Sequence, residues 1–141
     1  ERWSAKLGGA PLAFIHKTRR TDRPNETVAN RVVGEVAGKI CVLTDDMIDT
    51  GGTIVKAAEA LMADGAAGVI IAATHAILSD PAVDRLKNSP AVEVIVTNTL
   101  PIAEDRVFDK LTILSIAPLV ARAIREVFED GSVTSMFDGH A

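Results

Sequence analysis

At 141 residues, 48% of them hydrophobic, the chain is sized for one globular domain able to bury well over half of the surface its unfolded form exposes. A formal net charge of −4 excludes a nucleic-acid binder built on a basic face, so any anionic ligand must be met by local groups. The single cysteine, Cys41, excludes an internal disulfide and favours a reducing, cytoplasmic setting; no apolar run nears the roughly 18 residues that span a bilayer, and "ERWSAK" lacks a signal core.

In chain order, "ERWSAKLGG" reads as the last two turns of a helix closing at Gly8 and Gly9. It has neither a start signal nor a strand before it, so a part upstream of Glu1 is expected to be missing. "PLAFI" (11–15) reads as a strand and "HKTRRTDRPNET" (16–27) as a long polar loop. Further β-rich runs follow at "ICVLT" (40–44), "GVIIAAT" (68–74), "EVIVTN" (93–98) and "LTILSI" (111–116). Between them lies a helix over 53–64, with Ile54, Ala58, Leu61 and Met62 on one face and Gly65 closing it, and a shorter helix over 80–88. A last helix starts near Pro118 and stops at Gly131, with Val120, Ala123, Ile124, Val127 and Phe128 as its apolar set. The alternation predicts an α/β fold: one domain over 1–141, an open, mostly parallel sheet with helices on both faces, and a C-terminal segment, 132–141.

The chemistry concentrates in "VLTDDMIDTGGTIVKAAEAL" (42–61). In open parallel sheets, ligands sit beyond the carboxyl ends of strands, where a tight turn feeds a helix whose first N–H groups point outward. A phosphate there is held by backbone amides and the positive end of the helix dipole. Gly51 and Gly52 allow the backbone to come close to it, and Thr50 and Thr53 add hydroxyls. Asp45 and Asp46 are acceptors, suited to sugar hydroxyls or to magnesium bridged through water. Together they describe a sugar phosphate. Neither the Walker spacing nor the dinucleotide pattern is present. The plainer reading is a glycine turn with a capping threonine, against which the two preceding acids argue.

"DDMIDTGGT" resembles the phosphoribosyl-pyrophosphate binding loop shared by phosphoribosyltransferases and ribose-phosphate pyrophosphokinases. "HKTRR", "VVGEVAGK", "AATHAILSDPA" and "LSIAPLVARAIREVFEDGSVTSMF" resemble the pyrophosphokinases, in the right order and over nearly the whole chain. The resemblance implies a phosphoribosyltransferase-like fold and the carboxyl-terminal part of a longer chain, without the domain's first strand. It implies transfer of the diphosphate of MgATP to the C1 hydroxyl of ribose 5-phosphate, with Mg²⁺ accompanying the co-substrate ATP. By the same resemblance Asp45 and Asp49, Thr50, Gly51, Gly52 and Thr53 bind ribose 5-phosphate, with Asp46 beside them. Lys17 and Arg19 match the family's catalytic basic pair on a flexible loop, Arg19 also reaching substrate. Ser132, Val133, Thr134, Ser135, Met136 and Phe137 match a segment of an allosteric site for phosphate and ADP at a subunit interface. The family's homo-oligomers are hexamers of dimers.

The residues agree with part of this. "KTRRTDR" (17–23) carries four basic residues and one acid, a local charge of +3 in an acidic chain, and phosphoryl transfer is catalysed mainly by placed charge and exclusion of water. The alternative is a solvated charged loop. His75 ends a strand on the ligand side, where it either approaches substrate or is a hydrogen-bonded structural histidine. His16 and His140 have no spacing partner for a metal site. Ala76 and Asp80 depart from the family's glycines, and the basic loop is longer than in many relatives. A non-catalytic regulatory member of the family and a phosphoribosyltransferase are the competing functions.

Overall fold

The computed structural model describes residues 2–18 and 29–137. It opens with a short helix, α1 (Arg2–Lys6), and an antiparallel ribbon of β1 (Phe14–Thr18) and β2 (Ala29–Val33). A four-stranded sheet follows, formed by β3 (Ile40–Ile48), β4 (Gly68–Ala76), β5 (Ala91–Thr97) and β6 (Leu111–Leu114). All three pairings are parallel and the strands lie side by side in chain order. The crossovers carry α2 (Gly52–Ala63) between β3 and β4 and α3 (Ala82–Asn88) between β4 and β5; α4 (Ala117–Phe128) follows β6. This is the α/β class read from the sequence, a parallel sheet flanked by helices.

The core follows from the twofold period of the strands. Val69, Ile71 and Ala73 of β4 and Val94 and Val96 of β5 are all buried, while the intervening Ile70, Ala72 and Ile95 are only half-buried. Register joins Leu43, Ile71, Val94 and Leu111 in one row across the sheet. Against that face α2 sets Ile54, Val55, Ala58 and Leu61, and α3 adds Ala82, Val83 and Leu86. The expected face of α2 is therefore the buried one, with Met62 at its margin. The chain leaves α2 through Gly65, at φ 90°.

Three expectations change. The first strand is β1, three residues later than "PLAFI", because pairing with β2 runs from Phe14↔Val33 to Thr18↔Ala29. It absorbs His16 to Thr18 from the expected loop, whose residues 19–27 lie outside the described ones. β2 itself went unread: "ANRVV" is short and has no clean alternation, so only its partner makes it a strand. α4 forms as expected, with Pro118 in its first turn, but Asp130 rather than Gly131 takes the left-handed conformation after it. Its apolar set does not enter the core: Ile124, Val127 and Phe128 are 53%, 65% and 85% exposed. Periodicity specifies an apolar face and leaves open what covers it. The main contacts of α4 within the described chain are with the 3₁₀ turn Val133–Phe137.

Ile71→Ala, in the centre of the buried row, is expected to destabilise the fold by about 2–5 kcal/mol. Val127→Ala on α4 is expected to shift it by no more than about 0.5 kcal/mol. Urea unfolding followed by circular dichroism measures both, and equal effects would contradict this placement of the core.

Candidate functional site

β3 runs past the expected boundary. Its pairing with β4 continues through Asp45↔Ala73 and Met47↔His75 to Ile48↔Ala76. Asp45 and Asp46 are therefore strand residues, and the connecting turn is only Asp49 to Gly51. The strand had been expected to end at Thr44, before both acids; the apolar Ile48, 2% exposed, keeps it in the sheet beyond them.

The turn is set by Gly51, which caps α2 in the left-handed region at φ 72°, ψ −5°. A side chain there is strained by its Cβ against the following carbonyl. The first bond of α2 runs from the Val55 N–H to the Gly51 carbonyl, at 3.1 Å. The amides of Gly52, Thr53 and Ile54 precede it and have no partner within the helix, and no side chain caps them. Asp49, Thr50 and Thr53 are exposed, Gly52 is half-exposed, and Gly51 and Ile54 are buried. The chain thus places three amides without an intrahelical partner at the positive end of a twelve-residue helix, beside exposed turn residues.

The acids are not equivalent. The pleat sends Asp45 to the face of Leu43 and Ala73, over which α2 lies, and Asp46 to the opposite face. A groove of about 450 Å³ follows the outer edge of β3 from Trp3 and Leu7 of the first segment to Asp45 and Thr53. Asp46 does not line it. Each acid lends one oxygen to the next amide, Asp46 N–H to Asp45 Oδ1 at 2.9 Å and Met47 N–H to Asp46 Oδ1 at 2.8 Å. Asp45, with a second carboxylate oxygen, lines the groove together with Thr53. Among the described residues no group of three or more His, Cys, Asp or Glu side chains could hold a metal ion. Carboxylates on opposite faces of one strand fit magnesium only as a passenger on a ligand's phosphates, touched by at most one of them.

Other expected residues are more scattered. Lys17 lies on β1 opposite Asn30; its side chain and the whole of Arg19 lie outside the described residues. Ser132 precedes the exposed turn Val133–Phe137, where the Ser135 hydroxyl donates to the Ser132 carbonyl at 2.6 Å. Residues 138–141 of the C-terminal segment, His140 included, are outside the described part. His75 is hydrogen-bonded, its Nδ1 lying 2.9 Å from Thr99 Oγ1. Thr99 in turn donates to the Thr74 carbonyl at 3.2 Å, and Thr97 donates to the same carbonyl at 2.7 Å. This favours the structural alternative for His75. Cys41 lines the groove half-buried, and burial pushes its thiol up, partly offset by Lys39.

Two contacts were invisible in the sequence. Arg85 of α3 donates from Nη1 to the Thr50 carbonyl at 2.9 Å, across 35 positions of chain. Arg106 pairs with the Asp80 carboxylate and donates to the Leu78 carbonyl at 3.0 Å, pinning the loop between β4 and α3. Asp80 holds the Arg106 guanidinium above its ordinary range, chiefly through that hydrogen bond. No local pattern announces a pairing of this kind; Asp80 signalled it only by standing where glycine was expected.

Residues 15–138 match the family described as the phosphoribosyl synthetase-associated domain. This chain belongs to that family. It is similar to a ribose-phosphate pyrophosphokinase of Mycobacterium tuberculosis, 66% identical over 141 residues, covering 100% of this chain and 43% of the relative. A protein of the same name from Bifidobacterium longum is 62% identical over 138 residues, 98% of this chain and 41% of the relative. Among solved structures it resembles a phosphoribosylpyrophosphate synthetase from Mycobacterium smegmatis, at 63% identity and TM-score 0.83, covering 92% of this chain and 41% of that one. The chain thus spans 43% or less of the length of these relatives. These matches give a share of length and do not support the carboxyl-terminal placement that the resemblance implied. No helix among the described residues is long and apolar enough to cross a membrane.

Gly51→Ala is expected to cost about 1–2 kcal/mol of stability, the strain of a Cβ in the left-handed region. Its own neighbour leaves room, since a Cβ there would meet Ala82 at an ordinary 3.6 Å. Chemical denaturation measures the cost, and an unchanged midpoint would mean that the turn does not need its positive φ.

Proposed function

We propose that this chain carries the ribose 5-phosphate site of a ribose-phosphate pyrophosphokinase. One observation carries the reading: β3 ends in a three-residue turn whose left-handed Gly51 opens α2 with uncapped amides, with Asp45 on the same face. Identity of 62–66% to proteins of that name supports it. In this reading Gly52, Thr53 and the hydroxyl of Thr50 hold the 5-phosphate, and Asp49 closes the turn. Asp45 accepts hydrogen bonds from the ribose hydroxyls. Asp46, on the other face, is left to the solvent or to a metal-bound water.

The reaction is a diphosphoryl transfer. The C1 hydroxyl oxygen of ribose 5-phosphate attacks the β-phosphorus of ATP; the bond from that phosphorus to the oxygen bridging it to the α-phosphorus breaks. AMP leaves and the hydroxyl proton is released, giving 5-phosphoribosyl 1-pyrophosphate. Mg²⁺ bound with ATP neutralises charge on the transferring phosphates. The turn fixes the sugar through its phosphate, so that the C1 hydroxyl has one position. Lys17, whose backbone lies in β1, and Arg19 supply positive charge to the transferring group. Within the same proposal, Ser132–Phe137 takes phosphate or ADP as effector, and the exposed apolar face of α4 suits a homo-oligomer.

Calorimetry on the 141-residue chain is expected to detect ribose 5-phosphate binding, and Asp45→Asn to weaken it about tenfold or more, the scale of a charged hydrogen bond. An unchanged Kd would remove Asp45 from the site. In the whole protein that carries this sequence, AMP release from ATP and ribose 5-phosphate is expected. Lys17→Ala is expected to cut kcat roughly 10²-fold with ribose 5-phosphate affinity kept. A rise confined to KM would make Lys17 a binding residue, and no AMP release by the unaltered protein would remove the reaction itself.

A further inference from the structure

The glycine pair of the turn was read as room for a ligand, yet both glycines also face α3. A Cβ at Gly52 would stand 3.2 Å from Arg85 Nη1 and 3.7 Å from its guanidinium carbon. The guanidinium therefore lies across the first residue of α2, and the same nitrogen donates to the Thr50 carbonyl. It joins the residues on either side of Gly51. No carboxylate among the described residues lies within ion-pair distance of Arg85. Its charge stands beside the positive end of α2, where a cation is disfavoured unless an anion arrives. Of its five N–H donors, one is committed to Thr50.

We propose that Arg85 is a positioning residue of the phosphate cradle. It clamps the Thr50 carbonyl so that the Gly52 and Thr53 amides are presented together, and its charge adds to theirs. The turn holds two positive elements side by side, a guanidinium and a helix N-terminus, and a phosphate dianion relieves both. Gly52 is then required twice, by the phosphate on one side and by the guanidinium on the other. The inference rests on the reading of the turn as a phosphate cradle, and deepens it by naming the group that shapes the cradle from outside.

Two measurements test it on the 141-residue chain. Ribose 5-phosphate and inorganic phosphate are titrated into the unsubstituted chain and into Arg85→Met, Arg85→Lys and Asp45→Asn. Arg85→Met is expected to weaken both ligands about tenfold or more, as loss of a charged hydrogen-bonding group does, and Arg85→Lys to recover part of that. Asp45→Asn is expected to weaken only the sugar phosphate. Arg85→Met binding both ligands as the unsubstituted chain does, while Asp45→Asn loses the sugar phosphate, overturns the role of Arg85 and leaves the cradle standing.

The second measurement needs no ligand. In a double-mutant cycle on unfolding, Gly52→Ala disturbs the guanidinium when Arg85 is present and meets a flexible side chain when it is methionine. Coupling of roughly threefold or more in the unfolding constant is expected of residues in contact. Additive effects overturn the clamp. Coupling without any ribose 5-phosphate binding keeps the clamp and removes the proposed ligand.

Discussion

The left-handed bend at Gly51 is the constraint from which the site is built. The edge strand β3, in which only Ile48 is buried, delivers the chain to the carboxyl end of a parallel sheet, and a helix must start at once if α2 is to lie back on the sheet. Only a residue free to take φ 72° makes that reversal within three residues. The same reversal leaves the opening amides of α2 without a partner in the helix. In the proposed reading, affinity for an anion is a by-product of this short connection between β3 and α2.

Strand pleat then sorts the neighbouring charges. Two adjacent carboxylates look alike in sequence, but alternation puts Asp45 toward α2 and Asp46 away from it. A carboxylate next to an anion site repels the anion itself, so its use must be to accept hydrogen bonds from the uncharged part of the ligand. In the proposed function, donors for a phosphate beside an acceptor for hydroxyls would favour a sugar phosphate over either half, and the proposed role of Arg85 would shift that balance toward the phosphate.

Much of this was legible before any coordinates. The β-rich runs that become β4 and β5, the face of α2 formed by Ile54, Ala58 and Leu61, and the glycine turn all depend on neighbours close in sequence, where pattern and chemistry agree. What escaped depends on distant partners. β2 becomes a strand only beside β1, and the apolar stripe of α4 names no surface to cover it. Arg85, 35 positions from Thr50, reaches its carbonyl only because the chain returns through β4 to place α3 beside the turn. The apolar run marks β3 only as far as Thr44; Ile48, buried at the end of the pairing with β4, keeps the strand going beyond it.

Amide-resolved NMR of the 141-residue chain during titration with ribose 5-phosphate tests the cradle most directly. The largest shifts are expected at the Gly52, Thr53 and Ile54 amides, with lesser ones beside Asp45 and little change along α4. Saturation that moves resonances elsewhere while those three amides stay still would contradict the cradle and the function built on it.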